Sequence, residues 1–142
     1  RPVSTRGIDS APAGAVESLA KPTLDDQLRL LAAAFHRPPE PATMSSLESV
    51  IRRARPIHIE SAARSMHSFD VEASLASITT RTLLLAGDRD RHVPIRNHIA
   101  TWTHLKRAGL HVEHNVGHVP FVEATATSVA LVNHFLDRER RD

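Results

Sequence analysis

Two aspartates and one histidine follow two apolar segments in the second half of the chain. Asp88 and Asp90 come just after the apolar run 82–86, and His118 comes just after the alternating segment 110–116. A carboxylate that accepts a hydrogen bond from one imidazole nitrogen fixes the tautomer of the ring and stabilises the imidazolium. The other nitrogen is then free to take a proton from a nucleophile. These residue types predict an acid, Asp88 or Asp90, and a general base, His118.

The elements around these residues are predicted to form an α/β unit. The continuous apolar run 82–86 is typical of a parallel strand covered on both faces, and the alternation in 110–116 indicates a strand with one wetter face. A helix pattern follows each strand, from Pro94 to Gly109 and from Thr125 or Thr127 onward. The predicted inward residues of these two helices are Ile95, Ile99, Trp102 and Leu105, and then Val129, Val132, Phe135 and Leu136. In open parallel sheets, function lies beyond the carboxyl ends of the strands, which is where the acids and the histidine fall.

The first half of the chain is predicted to be helical. Residues 1–22 have the composition of a loop, and Thr23 can cap the first helix. Ser45 and Glu48 have capping-box spacing and predict the start of a second helix, and Pro56 can start a third. The predicted buried faces of the three helices are Leu24, Leu28, Leu31 and Phe35, then Leu47, Val50, Ile51 and Ala54, then Ile59, Ala62, Ala63 and Met66.

Composition and spacing exclude several kinds of site. The chain has no cysteine, which excludes disulfides, thiolate metal sites and a cysteine nucleophile. The ten histidines show no spacing typical of a zinc site, so we predict no metal and no other cofactor. The net charge is only +2 and aromatic residues make up 4%, so no nucleic-acid partner is expected. No apolar run approaches about 18 residues and nothing resembles a signal peptide, so we expect no membrane partner and a cytoplasmic location.

Two predicted strands are too few for an independent sheet. They leave two edges of unpaired backbone groups, and independent stability usually requires about three strands or thorough cover by helices. The sequence starts at Arg1 and contains no Gly-x-Ser-x-Gly, the pattern that presents a serine nucleophile between a strand and a helix. We therefore expect the carboxyl-terminal part of a larger α/β protein, with the nucleophile outside this chain.

Two segments together resemble the α/β-hydrolase superfamily. Residues 83–94, LLLAGDRDRHVP, resemble its acid-bearing strand and turn, and residues 115–123, NVGHVPFVE, resemble its histidine loop. Residues 69–78 are similar to the segment that leads from the helical cap of these enzymes back into the core. The resemblance implies an α/β fold in which residues 69–142 are the carboxyl-terminal part of an α/β-hydrolase parallel sheet. Residues 1–68 would be its helical cap or lid.

The resemblance also implies roles for individual residues. The acid of the family usually follows Gly-x-x-Asp, which selects Asp90 over Asp88, and His118 takes the position of the general base. Val119 and Phe121, which follow the histidine, would then lie near the substrate channel. The oxyanion-hole loop of the family, like its nucleophile, has no counterpart in this sequence.

The implied reaction is hydrolysis of an ester, thioester or related acyl bond of a small molecule by a Ser-Asp-His mechanism. The nucleophile would come from the amino-terminal part of the same hydrolase, so this chain alone should be inactive. An epoxide hydrolase, a dehalogenase, a carbon–carbon bond hydrolase or an acyltransferase would look the same in these segments. A hydrolase-like binding module that has lost catalysis is the alternative of another class. Ser, Asp or Cys at the nucleophile position would favour an enzyme, and Gly or Ala there would favour the binding module.

Overall fold

The computed structural model describes residues 23–139, so the loop predicted for residues 1–22 lies outside the described residues. The elements are, in order, α1 (Leu24–Ala34), α2 (Pro41–Arg53), α3 (Pro56–Ser68), α4 (Glu72–Leu75), β1 (Thr82–Gly87), α5 (Ile95–His104), β2 (Ala108–Glu113), α6 (Pro120–Glu123) and α7 (Thr125–Glu139). Helices fill the first part of this range, and strands alternate with helices in the second. The predicted α/β class is therefore confirmed.

The two strands pair in parallel, as the continuous apolar run predicted. Thr82 lies opposite Ala108 and Gly87 lies opposite Glu113, so both strands end at the same edge. The second strand starts and ends earlier than predicted, and Gly109, which was expected to close the preceding helix, lies inside it. The helix ends at His104 because Leu105 adopts an extended conformation, with φ −84° and ψ 130°.

The helices of the first half begin mostly where their capping residues predict. Thr23 and Asp26 form a capping box at the start of α1, in which each residue accepts a hydrogen bond from the backbone N–H of the other. Pro56 is the first residue of α3, as expected. The predicted start of α2 at Ser45 is wrong, because the helix already begins at Pro41. Proline fits the first helical position, where its fixed φ is suitable and its missing N–H is not needed.

Several side chains predicted to face inward are exposed instead. Met66 on α3 is 69% exposed, and the same error affects Leu24, Val50, Ala54, Ala62, Ile99, Trp102, Val129 and Leu136. The buried residues of α5 are Asn97 and Ala100, which lie on a different face of the helix from the predicted stripe. The physical reason is that little of the described chain packs against these faces of the helices. None of the helices between residues 23 and 139 is both long enough and apolar enough to cross a membrane.

Candidate active site

The loops that follow the two strands are hydrogen-bonded to each other. The backbone N–H of Asp88 donates to the carbonyl of Glu113 (3.0 Å), and that of Arg89 donates to the carbonyl of Val116 (2.9 Å). Gly87 makes this approach possible, because a Cβ there would overlap the backbone oxygens of Val116 and Gly117. The loop after β1 and the loop after β2 therefore lie side by side, with no room for a side chain at the end of β1.

Asp90 and His118 are brought together by these two loops, as their positions predict. Oδ2 of Asp90 lies 2.8 Å from Nδ1 of His118. The other carboxylate oxygen, Oδ1, accepts the backbone N–H groups of His92 (2.8 Å) and Val93 (2.9 Å). The side chain of Asp90 is only 3% exposed, whereas that of His118 is 42% exposed. A buried carboxylate thus holds an imidazole whose ring is still accessible to another molecule.

The surroundings of Asp90 favour its ionised form. Burial acts against ionisation and is the largest single influence, but the N–H of Val93, the ring of His118 and the N–H of His92 together outweigh it. The net effect lowers the pKa of Asp90 below its ordinary value of 3.8. An ionised Asp90 makes Nδ1 of His118 the hydrogen-bond donor, so in the neutral ring Nε2 is the nitrogen that can accept a proton.

Asp88 occupies a different place, which separates the two candidate acids. Its Oδ1 accepts the backbone N–H of Asn115 (2.7 Å), and its Oδ2 lies 2.8 Å from Nδ1 of His114. Asn115 has a φ of 58°, in the left-handed region that asparagine tolerates better than most residues. These hydrogen-bond partners of Asp88 therefore belong to the turn after β2, and the guanidinium of Arg89 lies 3.8 Å from its Oδ2. Burial raises the pKa of Asp88, but the hydrogen bonds from His114 and Asn115 outweigh it, and the net effect is a lowered pKa.

Two further histidines lie near Asp90 that no sequence pattern indicates. The ring of His92 stands edge-on to that of His118, with 5.1 Å between centroids and 77° between planes, and its Nε2 lies 3.1 Å from the carbonyl of Leu30. Nε2 of His98 is buried 3.9 Å from Oδ2 of Asp90, and among the described residues it has no hydrogen-bond partner. Burial lowers the pKa of His98 more than the charge of Asp90 raises it. The only signal in the sequence was closeness along the chain, since the helix that carries His98 begins at Ile95, soon after Asp90.

The two residues predicted to contact substrate lie next to the histidine in the chain. Val119 precedes the first turn of α6 and is half-buried, and Phe121 is 55% exposed within that turn. An open cleft of about 310 Å³ lies elsewhere, lined by residues 37–40, 113–116 and 122–124. Its lining includes neither Asp90 nor His118, nor the two predicted substrate contacts. Substrate binding by Val119 and Phe121 therefore stays a prediction.

Carboxylates and imidazoles are numerous at this edge, but they pair with one another. Nε2 of His111 lies 2.7 Å from a carboxylate oxygen of Glu113, in addition to the pairs already described. Within residues 23–139, no group of three or more histidine, aspartate or glutamate side chains has an arrangement that could hold a metal ion. The geometry of the site is thus that of acid–imidazole pairs, and the carboxylate of Asp90 is the most buried of the acids in them.

Comparisons with solved structures identify the fold. No family model matches the sequence, and no curated protein matches it. An esterase from Exiguobacterium antarcticum is similar over 87% of this chain and 48% of its own length, with a TM-score of 0.79 and 17% identity. A thermophilic esterase from Thermogutta terrifontis is similar over 97% of this chain and 52% of its own, with a TM-score of 0.73 and 19% identity. A bromoperoxidase from Bacillus anthracis covers 87% of this chain and 49% of its own, with a TM-score of 0.71 and 15% identity.

The described chain spans about half the length of each of these proteins. At such identities the likeness concerns the fold alone. The chain has the α/β-hydrolase fold, of which it contains a part.

Proposed function

We propose that Asp90 and His118 are the acid and the general base of a hydrolase that cleaves an ester, thioester or related acyl bond of a small molecule. The observation that supports this most directly is the 2.8 Å contact between a buried, ionised carboxylate and an accessible imidazole at adjoining strand ends. The same arrangement holds the histidine tautomer in enzymes that use a serine nucleophile. The esterases among the structural neighbours point to the same class of reaction.

The proposed chemistry needs two rounds of proton transfer at Nε2 of His118, one that forms the acyl intermediate and one that hydrolyses it. In the first, Nε2 takes the hydroxyl proton as the nucleophile oxygen bonds to the acyl carbon, and Asp90 stabilises the imidazolium. The imidazolium then gives this proton to the leaving oxygen or sulfur as the bond from that atom to the acyl carbon breaks. In the second round, water loses a proton to Nε2 as its oxygen bonds to the acyl carbon. The imidazolium then returns that proton to the nucleophile oxygen as the bond from this oxygen to the acyl carbon breaks, which releases the acid and restores the nucleophile and His118.

The nucleophile is proposed to come from outside this chain, from the amino-terminal part of the same hydrolase. No Gly-x-Ser-x-Gly occurs among the 142 residues, and the structural neighbours are about twice as long. That part would be joined in one polypeptide or would assemble as a second chain. In this proposal residues 1–68 form the cap over the substrate, and Val119 and Phe121 contact it. Residues 1–142 alone would then not catalyse the reaction.

A matched pair of histidine variants tests the proposal in a protein that includes the amino-terminal part. His114 and His118 each bind one aspartate at 2.8 Å through Nδ1, so exchanging either for alanine removes a similar contact. With p-nitrophenyl acetate as substrate, His118→Ala should lower kcat/KM by about 10³-fold or more. His114→Ala should change kcat/KM by less than about tenfold, because His114 contacts Asp88 at the turn after β2 and not the Asp90–His118 pair.

Two outcomes would contradict the proposed function. Equal rates for His118→Ala and the unaltered protein would mean that this histidine is not the base. If the protein hydrolyses no short p-nitrophenyl ester or thioester and has Gly or Ala at the nucleophile position, the hydrolase-like binding module would be favoured instead. Mixing residues 1–142 with a separately produced amino-terminal part should restore hydrolysis if the two assemble.

A further inference from the structure

One carboxylate near the site holds three backbone N–H groups from two distant parts of the chain. Oε1 of Glu123 accepts the N–H of Gly117 (2.8 Å), and Oε2 accepts those of His36 (2.9 Å) and Arg37 (3.0 Å). His36 and Glu123 are 87 positions apart in the sequence. Glu123 thus joins the loop that carries His118 to the segment that follows α1.

The three donors need such a partner. Phe35 ends α1 in an extended conformation, with ψ 138°, so the next two residues have left the helix and its carbonyl acceptors. An ionised carboxylate has two oxygens that only accept, whereas a glutamine side chain offers one acceptor and one NH₂ donor. A glutamine could satisfy the donors on one side only and would direct its NH₂ group against those on the other. The geometry therefore requires a carboxylate rather than an amide.

The histidine loop is fixed to α1 at the next residue as well. The backbone N–H of His118 donates to the carbonyl of Ala34 at 2.6 Å. Gly117 lies so close to α1 that a Cβ there would stand 2.5 Å from the same carbonyl and 2.7 Å from the nitrogen of His36. The chain therefore cannot shift toward α1 at residue 117, and the bonds through Glu123 prevent it from shifting away.

We propose that Glu123 is a positioning residue for His118, and that it acts by fastening the histidine loop to the end of α1. Asp90 holds only the ring nitrogen Nδ1, so the direction of Nε2 also depends on where the backbone of residue 118 stands. Glu123 and Ala34 set that backbone position. The consequence of this placement for catalysis rests on the proposed function, whereas the placement itself does not.

Nuclear magnetic resonance on the protein with its amino-terminal part tests the placement without turnover. In Glu123→Gln, the amides of Gly117, His36 and Arg37 should exchange with solvent at least about tenfold faster, because each loses a charge-assisted bond. The ring Nδ1–H resonance of His118 should shift from its position in the unaltered protein. Glu113→Gln is the matched control, since its carboxylate binds the ring of His111 and no residue of the histidine loop. It should leave the three amides and the His118 resonance unchanged.

A purely structural role would give a different result. If Glu123→Gln lowers the urea midpoint but leaves the His118 ring resonance in place, Glu123 does not position the base and the proposal is wrong. If that variant does not fold, amide exchange in the unaltered protein provides the test. The three amides should then be protected from exchange to the same extent, because one shared opening exposes all of them. Exchange of any of them at the rate of an open loop would overturn the proposal.

Where hydrolysis is measurable, kcat and KM separate this role from substrate binding. Glu123→Gln should lower kcat by about tenfold with little change in KM, because a misdirected base affects the transition state rather than the bound substrate. A rise in KM alone would contradict the proposal. If His118→Ala also leaves the rate unchanged, the proposed function fails. The amide exchange and the ring resonance then still test whether Glu123 fixes the position of the histidine loop.

Discussion

Asp88 and Asp90 are separated by one residue, yet their carboxylates bind different histidines at the same distance. Oδ2 of Asp88 lies 2.8 Å from Nδ1 of His114, and Oδ2 of Asp90 lies 2.8 Å from Nδ1 of His118. The two pairs differ in burial. The pair of Asp88 includes a His114 side chain that is 76% exposed, whereas the pair of Asp90 includes a carboxylate that is almost fully buried. The site therefore contains its own control, in which the same two residue types meet with and without burial.

Acid should weaken the folded protein partly through Asp90. The pKa of Asp90 is lower in the folded protein than its ordinary value of 3.8, so the folded state keeps this carboxylate ionised when the unfolded chain already binds a proton. The stability that it contributes is complete above pH 3.8 and is lost as the pH falls through the lower, folded pKa. In urea unfolding, the difference between the unaltered protein and Asp90→Asn should shrink over that range. A difference that stays constant with pH would contradict the account.

His98 should destabilise the protein in mild acid. Its pKa in the folded protein is below 6.5, so between these values the unfolded chain binds a proton that the folded state does not. Stability should therefore fall as the pH drops below 6.5. His98→Gln cannot take up that proton, so its urea midpoint should depend less on pH between about 7 and about 5. His58→Gln, at an exposed position of α3, controls for the removal of a histidine as such. Identical slopes for His98→Gln and the unaltered protein would contradict the prediction.

Gly87 and Gly109 should respond differently to the same substitution. A Cβ at Gly87 would overlap two backbone oxygens of the histidine loop, which cannot move as a side chain can. We expect Gly87→Ala to cost about 3 kcal/mol or more in the free energy of unfolding. At Gly109 the nearest atom is Cδ1 of Leu83 at 3.9 Å, an ordinary contact, so Gly109→Ala should change the free energy by less than about 1 kcal/mol. Denaturant unfolding of both variants measures this, and equal losses would argue against the close approach of the two loops.

The features that followed local rules could be predicted from the sequence. The end of β1 at Gly87 was visible in the change from apolar residues to carboxylates. Because parallel strands end at one edge, the contact between Asp90 and His118 followed from their positions after two such strands. The choice of Asp90 over Asp88 came from a resemblance. In the structure Asp90 is the one that contacts His118, and its role as the acid stays a prediction.

The features that depend on distant partners could not be predicted. The bonds of Glu123 to His36 and Arg37 cross 87 and 86 positions, and no periodicity in either segment indicates them. The exposure of Trp102 could not be predicted either, because an apolar stripe shows which face prefers burial but not whether a neighbour covers it. The burial of His98 near Asp90 could not be predicted for a related reason. Histidine counts as a polar residue, so an apolar pattern does not predict its burial.

The most direct test of the central claim is the kcat/KM for p-nitrophenyl acetate of Asp90→Asn and Asp88→Asn, measured side by side in the protein with its amino-terminal part. Asp90→Asn should lose about 10³- to 10⁴-fold, because an amide no longer fixes the tautomer of His118 or stabilises its imidazolium. Asp88→Asn should lose less than about tenfold, because Asp88 binds the turn at Asn115, the exposed His114 and the guanidinium of Arg89, and does not contact His118. A loss for Asp88→Asn equal to or greater than that for Asp90→Asn would contradict the assignment of the acid.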